Sequence, residues 1–385
     1  MSAKTSAYVF PFRPFRNLKK TTPSITLAQG RKVERTFFEP MLDIIAPRLE
    51  LPAGDRLEDR LVAFFASDAV RFGAPEWITD LAEHWSGQAR HFIEKNEPIL
   101  FTILGFPFKA PVILKTDRIL ADFGELAMLK CLHEIGSAIA RAYAPGAKIH
   151  IFAEGAFAPI NGMPQSDSDA YFDSLTAMCR IWGFDQSIVL HETHAIAEQT
   201  PGFKAVWDET TREIRQRRDA GDEKTRTALT DSFPVTFHLN ANPGVEPDRL
   251  RRAYLKDASA QDLYDELVVR SEEGVVRYRA FLEARDKVQL LEMFAPKALA
   301  MTVSPRPGRL GVRPLPPPAD VLPYHGLPIW DETAQVLLID YRWDFFCEDV
   351  EATPIYWDGD SEDKPFLYLS PGYADLLSAQ LKKAQ

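Results

Sequence analysis

Short apolar runs alternate with longer amphipathic segments through the middle of this 385-residue chain. The run at 99–104 stops at Gly105-Phe-Pro107 and predicts a buried strand. Asp122 then offers an N-cap, and Leu126, Leu129, Leu132, Ile135 and Ile139 share one side of a helix reaching about Tyr143. Pro145-Gly146 ends that helix, and 148–153 reads as the next strand. A helix capped by Ser166 or Asp167 runs to about Trp182 and leads into a strand at 187–191. Further on, 205–230 is dense in charge and predicts a solvated helix, and 262–294 predicts a long helical region. Strands are expected at 299–304 and 336–341, with a proline-rich rim loop or loose hairpin over 305–323 between them. Ahead of all these, 37–49 and 55–70 carry helical patterns, the second with Leu57, Leu61, Phe64 and Phe65 on one face.

Strands separated by helices of this length need crossover connections, which give parallel pairing, and such crossovers are right-handed. The expected fold class is α/β: a Rossmann-like, open, mostly parallel sheet with helices on both faces, plus an N-terminal arm and a C-terminal extension. The chain divides into an extended arm over 1–33, a single α/β domain over 34–345, and a tail over 346–385 packed on that domain. Ligands of open α/β sheets sit outside the carboxyl ends of the strands. Those ends carry Lys109, Glu154 with Asn161, His191 with His194, and Ser304 with Arg306.

Composition narrows the function classes. A net charge of -10 argues against a general nucleic-acid binder, whose phosphate contacts need a basic surface. A local cluster of Arg and Lys still suits a small anion. Cys131, Cys179 and Cys347 are far apart and odd in number, which is neither a disulfide framework nor a zinc pattern, and a cytoplasmic location is expected. No run reaches the roughly 18 apolar residues of a membrane span, and no secretory signal is expected. Residues 1–33 hold seven Lys or Arg and no acid. A transit peptide is one reading of them; Phe10-Pro-Phe12 and Pro14-Phe15 favour an arm lying on the domain.

With these elements placed, Leu104-Gly-Phe-Pro-Phe-Lys-Ala-Pro111 resembles the Phe-Pro-aromatic-Lys-Ser-Pro loop of the pyoverdine/dityrosine biosynthesis proteins, which include the isonitrile synthases. The likeness continues through Asp122-Phe-Gly-Glu-Leu126 and Tyr143-Ala-Pro-Gly-Ala-Lys-Ile149. Thr302-Val-Ser-Pro305, Gly311-Val312 and Pro323-Tyr-His-Gly326 then follow in the order of the family's C-terminal motifs. Two departures stand out. Ala153-Glu-Gly-Ala156 replaces a Ser-Asp-Gly-Arg run and loses its arginine, and Thr302-Val-Ser-Pro305 loses a histidine.

The resemblance implies an enzyme that condenses the amine of an amino acid, commonly an aromatic one, with ribulose 5-phosphate to give an isonitrile. No metal is expected, and no cofactor beyond that co-substrate. A downstream oxygenase acting on the product is the partner it suggests. Such chemistry needs a general acid/base, a cationic phosphate clamp and an apolar pocket. Lys109, expected to be an exposed charge just beyond a strand, is the first candidate to hold an anion or carry a proton. Glu154 before Gly155 and His325 complete the catalytic set. Glu125, Phe108, Arg306 and Arg313 are the substrate-binding candidates, the arginines as replacements for the one lost at 156. His191-Glu-Thr-His194 lacks the four-residue spacing on a helix that a zinc pair needs. Two other outcomes stay open: amine formylation or other sugar-phosphate chemistry on the same scaffold, and a noncatalytic binding protein.

Overall fold

The alternation expected of a sheet with one deeply covered face is present in the strand at Ile99–Gly105 (β3), whose residues 99, 101, 103 and 105 are buried while 100, 102 and 104 are half-buried. The computed structural model describes residues 15–73, 78–79, 81–110, 112–230, 245–303, 310–319 and 321–384. Beside β3 lie Ala147–Ala153 (β4), Ile188–Glu192 (β5), Leu299–Thr302 (β6) and Leu310–Gly311 (β7), in the order β5-β4-β3-β6-β7. Every pairing in this sheet is parallel, with Ile99 opposite Ala147 and Phe101 opposite Leu299. The order runs one way from β3 to β5 and the other way from β6 to β7, so the carboxyl ends of β3 and β6 flank a topological switch point.

Helices Leu57–Ala66 (α1), Ala82–Lys95 (α2), Phe123–Ala142 (α3) and Gln165–Ile181 (α4) pack the deeply covered face. There Phe65 stacks on Phe101 at 5.3 Å between ring centres and meets Trp85 edge-on. The cover is uneven, where helices on both faces were expected. The row Ala300, Thr102, His150 and Val189 crosses β6, β3, β4 and β5 on the other face, and Ala300 is exposed. Helix α3 starts on the cap expected: Asp122 accepts from Gly124 N, and Asp122 N donates to the Glu125 carboxylate. Helix α4 begins two residues earlier than expected, behind Pro164, and neither Ser166 nor Asp167 caps it.

The long excursion after β5 contains Thr193–Gln199 (α5), Phe203–Asp219 (α6) and Gln261–Lys287 (α7). The expected rim loop is described at Leu310–Ala319; Ser304–Arg309 lie outside the described residues.

A second sheet was not foreseen. Strands Thr26–Leu27 (β1), Arg31–Val33 (β2), Leu327–Asp331 (β8), Val336–Asp340 (β9), Glu351–Trp357 (β10) and Leu367–Leu369 (β11) form it in the order β1-β10-β11-β8-β9, with β2 also on β10. The segment 346–385, expected as a tail, supplies the interior strands β10 and β11. The described part of the expected arm, 15–33, adds β1 and β2 to the same sheet. Arg16 reaches Asp340 and Asn17 holds Asp344, while Phe15 rings against Tyr254 and Tyr341. Trp330, Leu337 and Ile355 share one core cluster with Phe101 and Ile149, so the two sheets are packed as one body. Among the described residues no helix is long and apolar enough to cross a membrane.

Candidate functional site

Three of the motifs singled out above converge just beyond β3. The chain leaves the strand through Phe106, which is fully buried at φ 50°, a left-handed conformation that a bulky side chain rarely holds without tertiary support. That turn aims Lys109 inward, where it is 1% exposed rather than the surface charge expected. Its ammonium donates to Asp122 Oδ2 at 2.5 Å, to Glu125 Oε2 at 3.0 Å and more distantly to the Pro323 carbonyl at 3.5 Å. Both carboxylates are fully buried. Tyr171 donates to Glu125 Oε1 at 3.3 Å. The capping box of α3 is thus also the counter-charge of Lys109, and the lysine ties the 104–111 loop, the start of α3 and the 323–326 turn together.

Two buried carboxylates share one lysine, so the cluster cannot carry both charges cheaply. Burial raises Asp122 well above its ordinary range, with the neighbouring Glu125 adding to the rise and Lys109 opposing it. For Glu125 burial also pushes upward, but Lys109 and the hydrogen bonds from Asp122 outweigh it and the net direction is down.

Glu154 follows β4, and 13% of its side chain is exposed, which makes it the carboxylate here that solvent reaches. Tyr278 of α7 donates to Glu154 Oε1 at 3.0 Å. Burial, then the Glu154 charge, holds the Tyr278 phenol well above its usual value, so it stays a neutral donor. Arg285, two turns further along α7, brings Nη1 to 3.9 Å from the same oxygen. Tyr324 lies between the two clusters: burial raises its phenol first, then the charges of Glu154 and Glu125. Its ring is 6.1 Å from Phe106 and 4.6 Å from His325. His325 is buried at 8% exposure. Lys109 and Glu125 are thus in direct contact, Tyr324 feels the charges of both Glu125 and Glu154, and the His325 ring lies against Tyr324.

The other candidates go elsewhere. Phe108 is 1% exposed within the main core cluster. Arg313 lies over Phe72 beyond the β7 edge, where burial and then Arg71 lower its pKa; it does not touch the carboxylate cluster. Arg306 lies outside the described residues. Asn161 turns back to the Phe157 carbonyl. Sequence reasoning missed Tyr171, Tyr278 and Arg285. Tyr278, Phe281 and Arg285 do form one stripe on α7, but nothing in the sequence says which loop that stripe meets.

Gly155 is required by close approach. A Cβ there would collide with Glu192 Oε1 and lie 2.7 Å from Ser168 Oγ. Glu192 is engaged in capping α5 through Ala195 N, and burial raises its pKa. Gly155→Ala is expected to destabilise the protein by about 1–3 kcal/mol, the scale of overpacking a closed site. Chemical denaturation measures this, and an unchanged midpoint would show that Glu192 swings away without cost.

His191 is held among rings. It stacks on Phe152, hydrogen-bonds His150 at 2.8 Å between ring nitrogens, and faces Phe294. His194 pairs with Glu198 at 3.1 Å. Among the described residues no three His, Cys, Asp or Glu side chains come together as metal ligands. Burial, and then His150, lowers His191 from 6.5 to about 4. Its folded pKa lies below the unfolded one, so the stability it protects is complete above about 6.5 and is lost as pH falls towards 4. His191→Phe should flatten the decline of melting temperature across that window. An identical acid profile for variant and wild type would contradict this.

A cleft of about 630 Å³ lies over α5, α6 and α7, floored by Phe203, Trp207 and Phe281 and rimmed by Arg212 and Arg277. None of Lys109, Glu125, Glu154 or His325 lines it. Buried, convergent chemistry weighs more than an open surface groove, so the site is placed at the rim.

Residues 89–275 match the model of the pyoverdine/dityrosine biosynthesis protein family. That span carries Lys109, Asp122, Glu125 and Glu154 and stops before Arg285 and His325. Similar curated proteins include an L-tryptophan isonitrile synthase of Fischerella ambigua, 34% identical over 101 residues, or 26% of this chain and 30% of that protein. Isocyanide synthase A of Aspergillus fumigatus is 22% identical over 284 residues, 69% of this chain and 42% of that protein. The L-tyrosine isonitrile synthase of Pseudomonas aeruginosa is 25% identical over 254 residues, 64% of this chain and 74% of that protein. The match thus spans less than half the length of the first two relatives. The crystal structure of the PvcA protein from Pseudomonas aeruginosa superposes with a TM-score of 0.63 at 20% identity, covering 81% of this chain and all of that one, a likeness of fold.

Proposed function

The chain belongs to the pyoverdine/dityrosine biosynthesis protein family, and we propose that it acts within it as an isonitrile synthase, converting the amine of an amino acid with ribulose 5-phosphate as co-substrate. The observation that carries this reading is Glu154. It is a carboxylate at the carboxyl end of a parallel strand, within solvent reach, held by the neutral Tyr278 phenol and backed by a closed charge cluster.

An amino acid arrives as an ammonium ion and must lose a proton before it can attack a ketone. Glu154 is the base that takes that proton, and Tyr278 fixes the orientation of its carboxylate. Attack forms the carbon–nitrogen bond, and loss of water then gives the imine; His325, whose ring lies against Tyr324, supplies the acid for that step. Lys109 positions rather than reacts, because its ammonium is fully committed to Asp122 and Glu125. Tyr324, backed by the buried Phe106 ring, suits an aromatic amino acid. In this reading the enzyme works in the cytoplasm and hands its product to an oxygenase.

Incubation with each proteinogenic amino acid, with and without ribulose 5-phosphate and followed by mass spectrometry, tests the reading. An isonitrile that appears only when both substrates are present supports it. A formylated amine, or no product from any amino acid, rejects it. Turnover is expected to survive exhaustive chelation; activity lost to a chelator and restored by one metal would refute a metal-free reaction.

A further inference from the structure

The Glu154–Arg285 pair leaves one buried guanidinium nitrogen unsatisfied beside a carboxylate. Arg285 is 3% exposed, and its Nε and Nη2 both go to Asp286. Nη1 is buried and has no hydrogen-bond partner among the described residues. The nearest carboxylate oxygen, Glu154 Oε1, is 3.9 Å away, beyond hydrogen-bond reach, and already accepts from Tyr278. Leaving a buried guanidinium N–H unpaired is costly, so such a group is normally met by water or by a ligand.

From this we infer that Glu154 and Arg285 together form the seat for the zwitterionic head of an α-amino acid, Glu154 facing the ammonium and Arg285 the carboxylate. An anionic and a cationic side chain held next to each other, but not hydrogen-bonded to each other, match a ligand that carries both charges on one carbon. A lone phosphate fits less well, because the Glu154 charge would repel it. The position of the arginine has a packing reason. Ala156 is 2% exposed and shares one cluster with Phe281 and Ala284 of α7, so residue 285 brings its guanidinium to the turn that contains 156. The arginine missing from the Ala153–Ala156 turn is thus replaced from α7. The substrate class rests on the isonitrile-synthase reading; the charge arrangement does not.

The test is binding, measured by calorimetry on wild type, Arg285→Met and Arg285→Lys, with thermal melts to confirm folding. L-tyrosine and L-tryptophan are the zwitterionic probes, tyramine and tryptamine lack the carboxylate, and ribulose 5-phosphate reports on phosphate. Wild type should bind the amino acids at least about tenfold more tightly than the amines, the scale of one charge-assisted pair. Arg285→Met should erase that preference without weakening ribulose 5-phosphate, and Arg285→Lys should keep part of it. Equal amino-acid affinity in wild type and a folded Arg285→Met would overturn the assignment, as would loss of ribulose 5-phosphate binding instead. If Arg285→Met does not fold, Arg285→Lys decides: an unchanged amino-acid preference counts against the guanidinium's role, and a weakened one supports it. Wild type that binds no amino acid sinks the seat. Wild type that binds through Arg285 but makes no isonitrile sinks the reaction alone.

Discussion

Replacing Lys109 with methionine is expected to destabilise the protein by about 3–5 kcal/mol, the scale of removing one partner from a buried ionic cluster. The lysine faces two carboxylates, and all three side chains are fully buried. Methionine fills most of the lysine's volume, so the loss is electrostatic and not a cavity. It leaves Glu125 supported by Tyr171 and by Asp122, without a cation. Lys109→Arg should also fail, because a larger planar head has no room where the ammonium now sits. Adding Glu125→Gln to Lys109→Met should recover part of the loss by restoring charge balance. Urea denaturation of the four proteins settles the point. A Lys109→Met protein within about 0.5 kcal/mol of wild type would mean that the cluster is solvated or already neutral.

Glu154→Gln is expected to behave in the opposite way, with small effect on stability and large effect on turnover. Its side chain is partly exposed, and a glutamine oxygen still accepts from the Tyr278 hydroxyl. What disappears is the proposed base. Product formation should fall by about a hundredfold to ten-thousandfold, the usual range for a positioned acid/base group. A variant that melts like wild type and reacts like wild type would move the base to another residue.

The first sheet was legible in the sequence because its strands are apolar runs bounded by turn residues and separated by capped helices. Asp122 illustrates how far such reading goes. Its capping role follows from local spacing, yet its pairing with Lys109 closes across 13 residues and a buried turn that no periodicity reports. For the same reason Lys109 reads as a surface charge: a lysine after a strand is ordinarily solvated, and only the left-handed Phe106 turns it inward. The second sheet was hidden by short and interrupted strands. β11 has three residues, too few to show a period. β8 contains Pro328, which argues against an interior strand, but its ladder to β11 uses only Ile329 and Trp330 and so avoids the missing donor. Arg285 was hidden by its helix, where a charged residue reads as solvated until the neighbouring loop is known.

We propose that Glu154 marks the place where an amino acid's amine is made into an isonitrile. Its most direct test is mass spectrometry of reactions containing 15N-labelled L-tyrosine or L-tryptophan with ribulose 5-phosphate, run for wild type and Glu154→Gln side by side. A labelled isonitrile is expected from wild type, and at least about a hundredfold less from the variant. Labelled product at the same rate from both proteins, or none from wild type with any amino acid, would contradict it.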